Sequence, residues 1–402
     1  MRILVVSDTP FAPPTAGNRR RIHDMLAFLR GRGAEVGMLL LAAPDRAEWD
    51  VPAMRAALDR LEIADDGRAS GRDAGRFERT LRRLVPGLPL RLDAWCPPAF
   101  RARAARLVTD WSPDVVLVEY VFLSACLPVL RLATARPPLT VIDTHDVMHH
   151  RRAVYAAAGL RAQWFHVTRA AERRGLARAD LVLAIHEEDA RVLREMLPGG
   201  TVLTVQHAEP VTPAPRAAAE PARLLVVASY NDINVVGLRW LLDHVWPRVR
   251  ALLPEAELVV CGNIIEKIPE RPAGVVFRGV LPSLAQEYAA SRVVLVPVPS
   301  GTGLKVKLVE ALCHGRPVVA TPAGAAGVEV GDGSGVVVAS EPEAFARAVH
   351  RLLADPLAWD ASVHAATAHA RRRFAPEAVF GPFLETLEVR IAAAACPAPE
   401  SP

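Results

Sequence analysis

The chain has 402 residues, 51% of them apolar, and a formal net charge of +4 at pH 7. This length exceeds what one hydrophobic core usually holds, so we expect two domains. The weak positive charge, the dispersed arginines and an aromatic content of only 5% argue against a nucleic-acid-binding surface. The same charge is compatible with an anionic substrate or a loose peripheral contact with a membrane.

The cysteines and the first residues of the chain indicate an intracellular protein. Five cysteines are widely scattered and form no CxxC pair, so we expect reduced thiols rather than disulfides or a zinc site. The chain opens on an apolar strand pattern instead of a signal-peptide layout. No apolar run approaches the roughly 20 residues that a membrane helix needs. A soluble cytoplasmic protein is therefore predicted.

Short β-branched runs alternate with helical patterns in the first half of the chain. Near-continuous apolar strands separated by helices are typical of a parallel sheet covered on both faces. The predicted strands are Arg2–Val6, Glu35–Leu41, Asp114–Val118, Leu139–Ile142, Leu181–Ala184 and Thr201–Val205. The helix after the first strand has an inner apolar stripe of Ile22, Met25, Leu26 and Leu29. Residues 45–107 are less regular, and no element is predicted there.

A second series of strands follows a linker at 208–223, which is rich in Pro and Ala. The predicted strands are Leu224–Val227, Glu257–Cys261, Val275–Phe277, Val293–Val296, Pro317–Ala320 and Val336–Val338. We thus expect an α/β protein with two doubly wound, Rossmann-like domains at 1–207 and 224–373. If the two sheets face each other across a cleft, ligands should bind beyond the carboxyl ends of their strands.

A glycine-rich turn follows the predicted strand at 293–298 and opens a helix near Lys305. The chain contains only three lysines, and two of them, Lys305 and Lys307, lie here. Unsatisfied amides and the helix dipole favour an anion at a helix start, and a compact ammonium group suits a phosphate. The helix would pack through an apolar stripe of Leu304, Leu308, Ala311 and Leu312. The sequence therefore predicts a diphosphate site at this turn.

Glu310 lies off that apolar stripe, on the helix face of Val306. A diphosphate at the helix start would bring an attached ribose within reach of this carboxylate, which could bind two vicinal hydroxyls. The alternative interpretation is an ordinary solvated or capping glutamate, and the residue alone does not decide between them.

The segment 301–312, GTGLKVKLVEAL, followed by Gly315 and PVVAT at 317–321, resembles the donor-site signature of retaining glycosyltransferases of family 4. The resemblance covers most of the chain, is weakest at 45–107, and implies the two-domain GT-B fold. It implies that Glu310 contacts the nucleotide ribose. Thr302 stands where the family has a glutamate that contacts the donor sugar, and this departure resembles a subgroup with Gly-Thr-Gly there.

The resemblance also implies other donor contacts. The loop after the strand at 224–227 would hold the diphosphate, although the basic pair that the family often has there is absent before Arg239. The small-residue turn at 322–327 would lie near the donor. The residues implied to bind donor or nucleotide are Gly17, Ser229, Asn231, Arg278, Gly279, Val280, Thr302, Gly303, Leu304, Lys305, Val306, Lys307 and Glu310.

Three arginines, Arg19 to Arg21, follow Gly17 at the start of a predicted helix, where their charge opposes the helix dipole. A bound anion nearby would reverse the sign of that effect. The alternative interpretation, for at least two of them, is a solvated basic turn.

His145 follows the predicted strand at 139–142, and the resemblance implies a place at the edge of the reaction centre. A lone histidine is more often structural, but its position after a central strand and the match favour a site role. His149, one helical turn away, invites a metal interpretation, but no third ligand has suitable spacing. The family needs no metal, so we expect neither a metal nor a cofactor besides the nucleotide sugar, which is a co-substrate.

The resemblance implies transfer of a sugar from a nucleoside diphosphate sugar to an acceptor hydroxyl with retention of anomeric configuration. His145, Lys305 and Glu310 would be the catalytic residues, and the acceptor would be a small molecule, a glycan or a lipid-linked molecule. A sugar phosphorylase or nucleotide-sugar epimerase on the same fold stays open, as does a non-catalytic nucleotide-sugar-binding or partner protein. In GT-B proteins the last helix commonly returns to the first domain, and residues of about 374–395 are the candidate.

Overall fold

The computed structural model describes residues 1–42, 46–65, 92–157, 159, 166–216, 219–220, 222–300, 304–331 and 333–395. The chain divides into two compact units. The first comprises Met1–Arg152, Arg161–Val205 and Phe380–Pro402, and the second comprises Ala153–Leu160 and Gln206–Val379. The predicted donor contacts at Thr302 and Gly303 lie outside the described residues.

The first unit is built on a parallel sheet. Its strands are β1 (Arg2–Ser7), β2 (Glu35–Leu41), β3 (Arg60–Ala64), β4 (Val115–Glu119), β5 (Leu139–Asp143), β6 (Leu181–Ala184) and β7 (Val202–Thr204). Their order in the sheet is β3-β2-β1-β4-β5-β6-β7, and each described pair is parallel. The first six strands thus have the Rossmann order 3-2-1-4-5-6.

Helices follow these strands along the chain. They are α1 (Gly17–Gly31), α2 (Val51–Ala56), α3 (Pro98–Trp111), α4 (Leu127–Leu132), α5 (Arg151–Ala157), α6 (Arg169–Leu176) and α7 (Glu187–Met196). Most of α5 belongs to the second unit, whereas the other six helices belong to the first and cover its sheet. Short 3-10 turns occur at Arg46–Glu48, Leu92–Trp95, Val121–Cys126 and Met148–His150. The predicted inner stripe of α1 is confirmed, since Ile22, Met25, Leu26 and Leu29 are all buried.

The second unit repeats this strand order. Its strands are β8 (Arg223–Val227), β9 (Glu257–Cys261), β10 (Val275–Gly279), β11 (Val293–Val296), β12 (Val318–Ala320) and β13 (Val336–Val338). They are parallel and ordered β10-β9-β8-β11-β12-β13. The predicted fold class, two Rossmann-like doubly wound sheets, is confirmed.

The remaining helices are α8 (Asp232–Trp240), α9 (Trp246–Leu252), α10 (Ala285–Ala290), α11 (Val306–Cys313), α12 (Pro342–Ala354), α13 (Pro356–Arg373) and α14 (Pro376–Ala395). A π turn at Leu241–Val245 joins α8 to α9, and a 3-10 turn lies at Asn263–Lys267. None of the described helices combines the length and apolarity needed to span a membrane. The four described cysteines are buried free thiols, as predicted.

The C-terminal helix α14 starts in the second unit, and its residues from Phe380 onward belong to the first. Phe380, Phe383 and Leu387 are buried, and the Phe380 ring lies 5.5 Å from that of Phe28 in α1. Near its end, Arg390 donates from Nη2 to Oγ1 of Thr201 at 2.6 Å. The end of the chain therefore completes the core of the first unit.

Candidate glycosyl-transfer site

Both sheets carry polar residues at the carboxyl ends of their central strands. In each sheet the strand order reverses between the first and the fourth strand, here between β1 and β4 and between β8 and β11. Open α/β sheets bind ligands at this switch point, because the loops diverge there and leave a crevice. The loops after β8 and β11 lead to Asn231 and Lys305, so the structure places these two predicted donor residues at the switch point of the second sheet.

The start of α11 offers backbone donors beside the two lysines. Lys305 is the N-cap residue, and its carbonyl accepts from the amide of Leu308 at 2.9 Å and from that of Val309 at 3.3 Å. The amides of Val306 and Lys307 precede these bonds, where a helix dipole favours negative charge. The predicted apolar stripe is confirmed, since Leu304, Leu308, Ala311 and Leu312 are buried.

Glu310 is a buried carboxylate with two side-chain donors. It is only 7% exposed, so it is not the solvated glutamate of the alternative interpretation. The hydroxyl of Tyr288 donates to its Oε2 at 2.8 Å. Nζ of Lys307 lies 3.0 Å from Oε1 and 3.1 Å from Oε2. These contacts fix a charged acceptor one turn into the helix.

Tyr288, which the sequence analysis did not identify, is itself held firmly. It lies in α10, its ring stacks on His314 at 4.7 Å, and Nε of Arg316 donates to its carbonyl at 2.8 Å. Burial and the neighbouring Glu310 carboxylate raise the pKa of Tyr288 well above its usual range, so the hydroxyl remains a donor. Burial also lowers the pKa of His314, which favours a neutral ring against Tyr288.

The loop after β8 is organised by its own side chains. Oδ1 of Asn231 accepts from the amide of Asn234 at 2.7 Å and so caps α8, while Nδ2 of Asn234 donates to the carbonyl of Ser229 at 2.8 Å. A Cβ added at Gly237 would lie 2.2 Å from the carbonyl oxygen of Pro297. Glycine therefore lets α8 pack against the segment after β11, which brings the two loops of the switch point together.

Three residues implied to bind the nucleotide, Arg278 to Val280, lie at the end of β10. Gly279 has φ +70°, and its carbonyl accepts from the amide of Gly262 at 2.6 Å. The Arg278 guanidinium faces Glu287, with Nε 3.5 Å from Oε1, whereas Val280 is 64% exposed. Val280 is therefore exposed next to a turn whose backbone is bonded to Gly262.

The small-residue turn at 322–327 lies against the end of β11. The amide of Gly324 donates to Oγ1 of Thr321 at 3.0 Å, and a Cβ at this glycine would lie 2.4 Å from the carbonyl oxygen of Val296. The turn therefore depends on a glycine at its closest approach to the strand that leads to α11.

In the first unit, His145 lies in a buried polar cluster at the ends of β4 and β5. Its Nε2 is 2.6 Å from Oε2 of Glu119, and its ring stacks on Tyr120 at 4.1 Å. His145 and Tyr120 have φ values of +58° and +63°, which non-glycine residues seldom adopt. Backbone strain at the end of central strands is a feature of functional sites, which agrees with the predicted role of His145.

Glu119, the last residue of β4, was not identified from the sequence. Its side chain is buried, and Oε1 has no hydrogen-bond partner among the residues that the structure describes. Burial raises the pKa of this carboxyl group, and the hydrogen bond from His145 opposes that effect. A buried carboxylate oxygen in a polar cluster, with one acceptor position unused, is available to a further donor.

Arg21, the third arginine at the start of α1, has a partner that neither interpretation of this basic turn included. Arg21 is buried, and its Nε and Nη2 donate to Oδ2 and Oδ1 of Asp143 at 2.7 and 3.0 Å, while Arg20 pairs with Asp24 at 2.8 Å. Arg21 thus meets a carboxylate of the protein instead of solvent or a bound anion. Burial alone would raise the pKa of Asp143, but Arg21 and His145 hold it below the ordinary value of 3.8.

Gly17 begins α1, and the next residue ties this helix to the cluster. Nδ2 of Asn18 donates to the hydroxyl of Tyr120 at 3.1 Å. Burial raises the pKa of Tyr120 far above neutrality, so its hydroxyl stays protonated. A chain of contacts therefore runs from the residue after Gly17 through Tyr120 and His145 to Glu119.

Glu119, Asp143 and His145 each place one potential metal-ligand atom, a carboxylate oxygen or a ring nitrogen, within 4.8 Å of the others. This spacing is close enough for the three atoms to bind one cation. Both oxygens of Asp143 already accept from the Arg21 guanidinium, which supplies the positive charge of the cluster. His149 is not part of this cluster, because its Nδ1 lies 2.6 Å from Oε2 of Glu172. The described geometry thus fits an ion-pair network better than a metal site, and the absence of a metal requirement stays a prediction.

Comparison with known proteins agrees with this arrangement. Residues 221–355 match the family model of glycosyl transferases group 1. The sequence has no significant match among curated proteins.

Solved structures of similar fold include HepE of Anabaena in complex with UDP, with 16% identity, TM-score 0.68, and coverage of 97% of this chain and 100% of that chain. Sucrose-phosphate synthase of Thermosynechococcus elongatus has 17% identity and TM-score 0.71, over 98% and 99% of the two chains. A TarM variant of S. aureus in complex with fondaparinux, alpha-GlcNAc-glycerol and UDP has 8% identity and TM-score 0.68, over 96% and 99%. The chain therefore has the GT-B fold of these structures, and residues 221–355 of its second unit match the glycosyl transferases group 1 model.

Proposed function

We propose that the protein moves a sugar from a nucleoside diphosphate sugar to an acceptor hydroxyl and retains the anomeric configuration. The observation that carries the proposal is the buried carboxylate of Glu310, held by Tyr288 and Lys307 one turn inside the helix that follows β11. A carboxylate fixed in this way can accept two hydrogen bonds from the vicinal hydroxyls of a ribose. The helix start beside it suits the attached diphosphate.

The main chemical difficulty is the departing diphosphate, which gains negative charge as the sugar becomes oxocarbenium-like. We assign the stabilisation of that charge to Lys305, Lys307 and the amides at the start of α11. Groups oriented before the reaction stabilise developing charge without the cost of reorganisation. In the proposed retaining mechanism, the departing phosphate oxygen accepts the acceptor's proton on the same face of the sugar, so no separate base is required.

We assign to His145 the positioning of the donor sugar and the acceptor, with Gly17 facing the donor phosphates. This assignment is supported by the strained backbone of His145 and by its contacts with Glu119 and Tyr120 at the switch point of the first sheet.

Thermal unfolding in the presence of nucleoside diphosphates and their sugars, with no added metal, tests the donor site. Several neighbours of the fold were solved with UDP or UDP-glucose, so the uridine series comes first. A ligand at 100 times its dissociation constant adds about 2.7 kcal/mol of stability. We expect a shift with one nucleotide series that Glu310→Ala abolishes.

The matched control is Glu343→Ala, which removes an exposed glutamate that pairs with Arg347 on α12. This variant should keep the nucleotide shift. A shift with inorganic phosphate and with no nucleotide would instead favour a phosphorylase, and a stable nucleotide complex that transfers no sugar to any acceptor would favour a non-catalytic role.

Retention requires a separate measurement. Once an acceptor is found, the proton coupling at the anomeric carbon of the product reports its configuration by NMR. The proposal expects the configuration of the donor, and inversion would overturn the retaining assignment while leaving the donor site intact.

A further inference from the structure

Lys307 and the ribose of the proposed donor compete for the same two atoms. The ammonium Nζ lies within 3.1 Å of both Oε1 and Oε2 of Glu310. Those two oxygens are also the acceptors that the proposed function gives to the ribose diol, so the inference rests on that function. Oε2 additionally accepts from the hydroxyl of Tyr288.

The two partners of Glu310 differ in their freedom to leave. The Tyr288 side chain is fully buried, stacked on His314, and its backbone is held by Arg316. The Lys307 side chain is 31% exposed and reaches Glu310 through a flexible four-carbon stem from the first turn of the same helix. Tyr288 is therefore a fixed donor, whereas the ammonium can be displaced with little change in the fold.

The displaced ammonium needs another anion nearby, because leaving a charge without a partner in a half-buried site is unfavourable. The diphosphate at the start of α11 is such an anion. A nucleoside without phosphates offers none, so it would break the ion pair without replacing it.

We propose that Lys307 is an exchangeable partner of Glu310: it neutralises the carboxylate until a nucleotide binds, then moves to the diphosphate while the ribose hydroxyls take its place. This exchange couples recognition of the ribose to recognition of the phosphates. A nucleoside diphosphate gains the phosphate contacts, and it also gives the displaced ammonium a new partner. The site therefore discriminates against nucleosides more strongly than the phosphate contacts alone would.

The test compares two ligands, the nucleoside and the nucleoside diphosphate of whichever base the wild-type protein binds, by calorimetry or ligand-observed NMR. In Lys307→Met the diphosphate should bind at least about 10-fold more weakly, because a charge-assisted phosphate contact is lost. The nucleoside should bind about 3-fold or more tightly, because it no longer displaces an ammonium. The opposite signs of the two changes are the distinguishing result.

Two further variants serve as controls. Arg347→Met removes one positive charge from the exposed pair with Glu343 and should change neither affinity. Lys305→Met should weaken binding of the nucleoside diphosphate. It should leave the affinity for the nucleoside unchanged, since the hydrogen bonds of Glu310 come from Tyr288 and Lys307. In a Glu310→Gln background, Lys307→Met should no longer increase the affinity for the nucleoside.

If Lys307→Met changes both affinities in the same direction, or leaves the nucleoside affinity unchanged, the exchange is wrong and the nucleotide site stands. If the wild-type protein binds no nucleotide at all, the proposed function fails and this inference fails with it. Circular dichroism of each variant confirms that the fold is retained.

Discussion

Oε2 of Glu119 and Nε2 of His145 lie 2.6 Å apart inside the first unit, at the ends of two neighbouring strands. The contact uses one ring nitrogen of His145 and sets the direction of the other. A histidine oriented by a carboxylate is a common way to fix its ring for a reaction. The pair therefore gives the predicted role of His145 a physical basis within a single unit.

Replacement of His145 should separate turnover from nucleotide binding. We expect His145→Asn to lower kcat about 100-fold or more, because misplacement of reacting groups is costly. The dissociation constant of the nucleoside diphosphate should stay within about 3-fold, since all the proposed nucleotide contacts except Gly17 lie in the second unit. Asparagine is chosen because it tolerates the left-handed backbone at φ +58°. Equal losses of turnover and binding would contradict the assignment.

Glu119→Gln should lower activity without lowering stability. We expect kcat to fall about 10-fold or more, because the amide cannot orient His145 as the carboxylate does. Burial raises the folded-state pKa of Glu119 above its ordinary value of 4.5, so wild-type stability declines as pH rises through that pKa. The variant lacks this decline, and urea unfolding at pH 8 should give it a free energy of unfolding at least equal to that of the wild type. A lower free energy of unfolding for the variant would mean that the Glu119 carboxylate stabilises the folded protein.

Asp143→Asn should be strongly destabilising. Arg21 is buried and would lose its carboxylate partner, and breaking a buried pair costs about 3–5 kcal/mol. The folded-state pKa of Asp143 is lowered, so its stabilising contribution is present above 3.8 and is lost as pH falls through the folded-state value. Urea unfolding should therefore show a constant difference from wild type between pH 5 and pH 8 that shrinks below pH 4.

The double variant Arg21→Met/Asp143→Leu provides the control for this pair. Replacing both charges by apolar groups should recover most of the loss, because the penalty comes from a buried charge without its partner. If the double variant is as unstable as Asp143→Asn, packing at this position is the cause instead.

Tyr288→Phe should weaken both the fold and the nucleotide site. The Glu310 carboxylate loses a hydrogen bond of 2.8 Å, and such bonds to charged groups contribute about 1.5–3 kcal/mol. The ring stack on His314 should survive, so the change isolates the hydroxyl. For the stability measurement, Tyr230→Phe is a matched control, since its exposed hydroxyl lies 3.5 Å from Asp232, and it should stay within about 0.5 kcal/mol of wild type.

Local sequence patterns were sufficient to predict most strands. Glu35–Leu41, Leu181–Ala184, Glu257–Cys261, Val293–Val296 and Val336–Val338 have the predicted bounds, because each is a short apolar run between turn residues. The strand β3, Arg60–Ala64, was missed since its charged residues and partial burial interrupt the apolar pattern. An edge strand needs less apolar sequence than a central one.

The candidate site could be predicted only in part. Lys307 and Glu310 are three residues apart on one helix, so spacing alone suggests their proximity. Three other contacts join residues that are far apart in sequence. The separation is 26 residues for Glu119 and His145, 122 for Arg21 and Asp143, and 22 for Tyr288 and Glu310. No local spacing rule connects such pairs, because the parallel strand order brings them together. Buried acids at strand ends are the signal that could have drawn attention to Glu119.

The path of α14 has a consequence for biosynthesis. Phe380, Phe383 and Leu387 are buried in the first unit, yet the 174 residues of Gln206–Val379 separate Val205 from Phe380. At ribosomal rates of about 5–20 residues per second, the nascent first sheet waits roughly 9–35 s for these side chains. Throughout that interval the apolar surface of the first unit beside α1 lacks its native cover. The two units are thus folded in an interleaved order, and the first to be translated is the last to be completed.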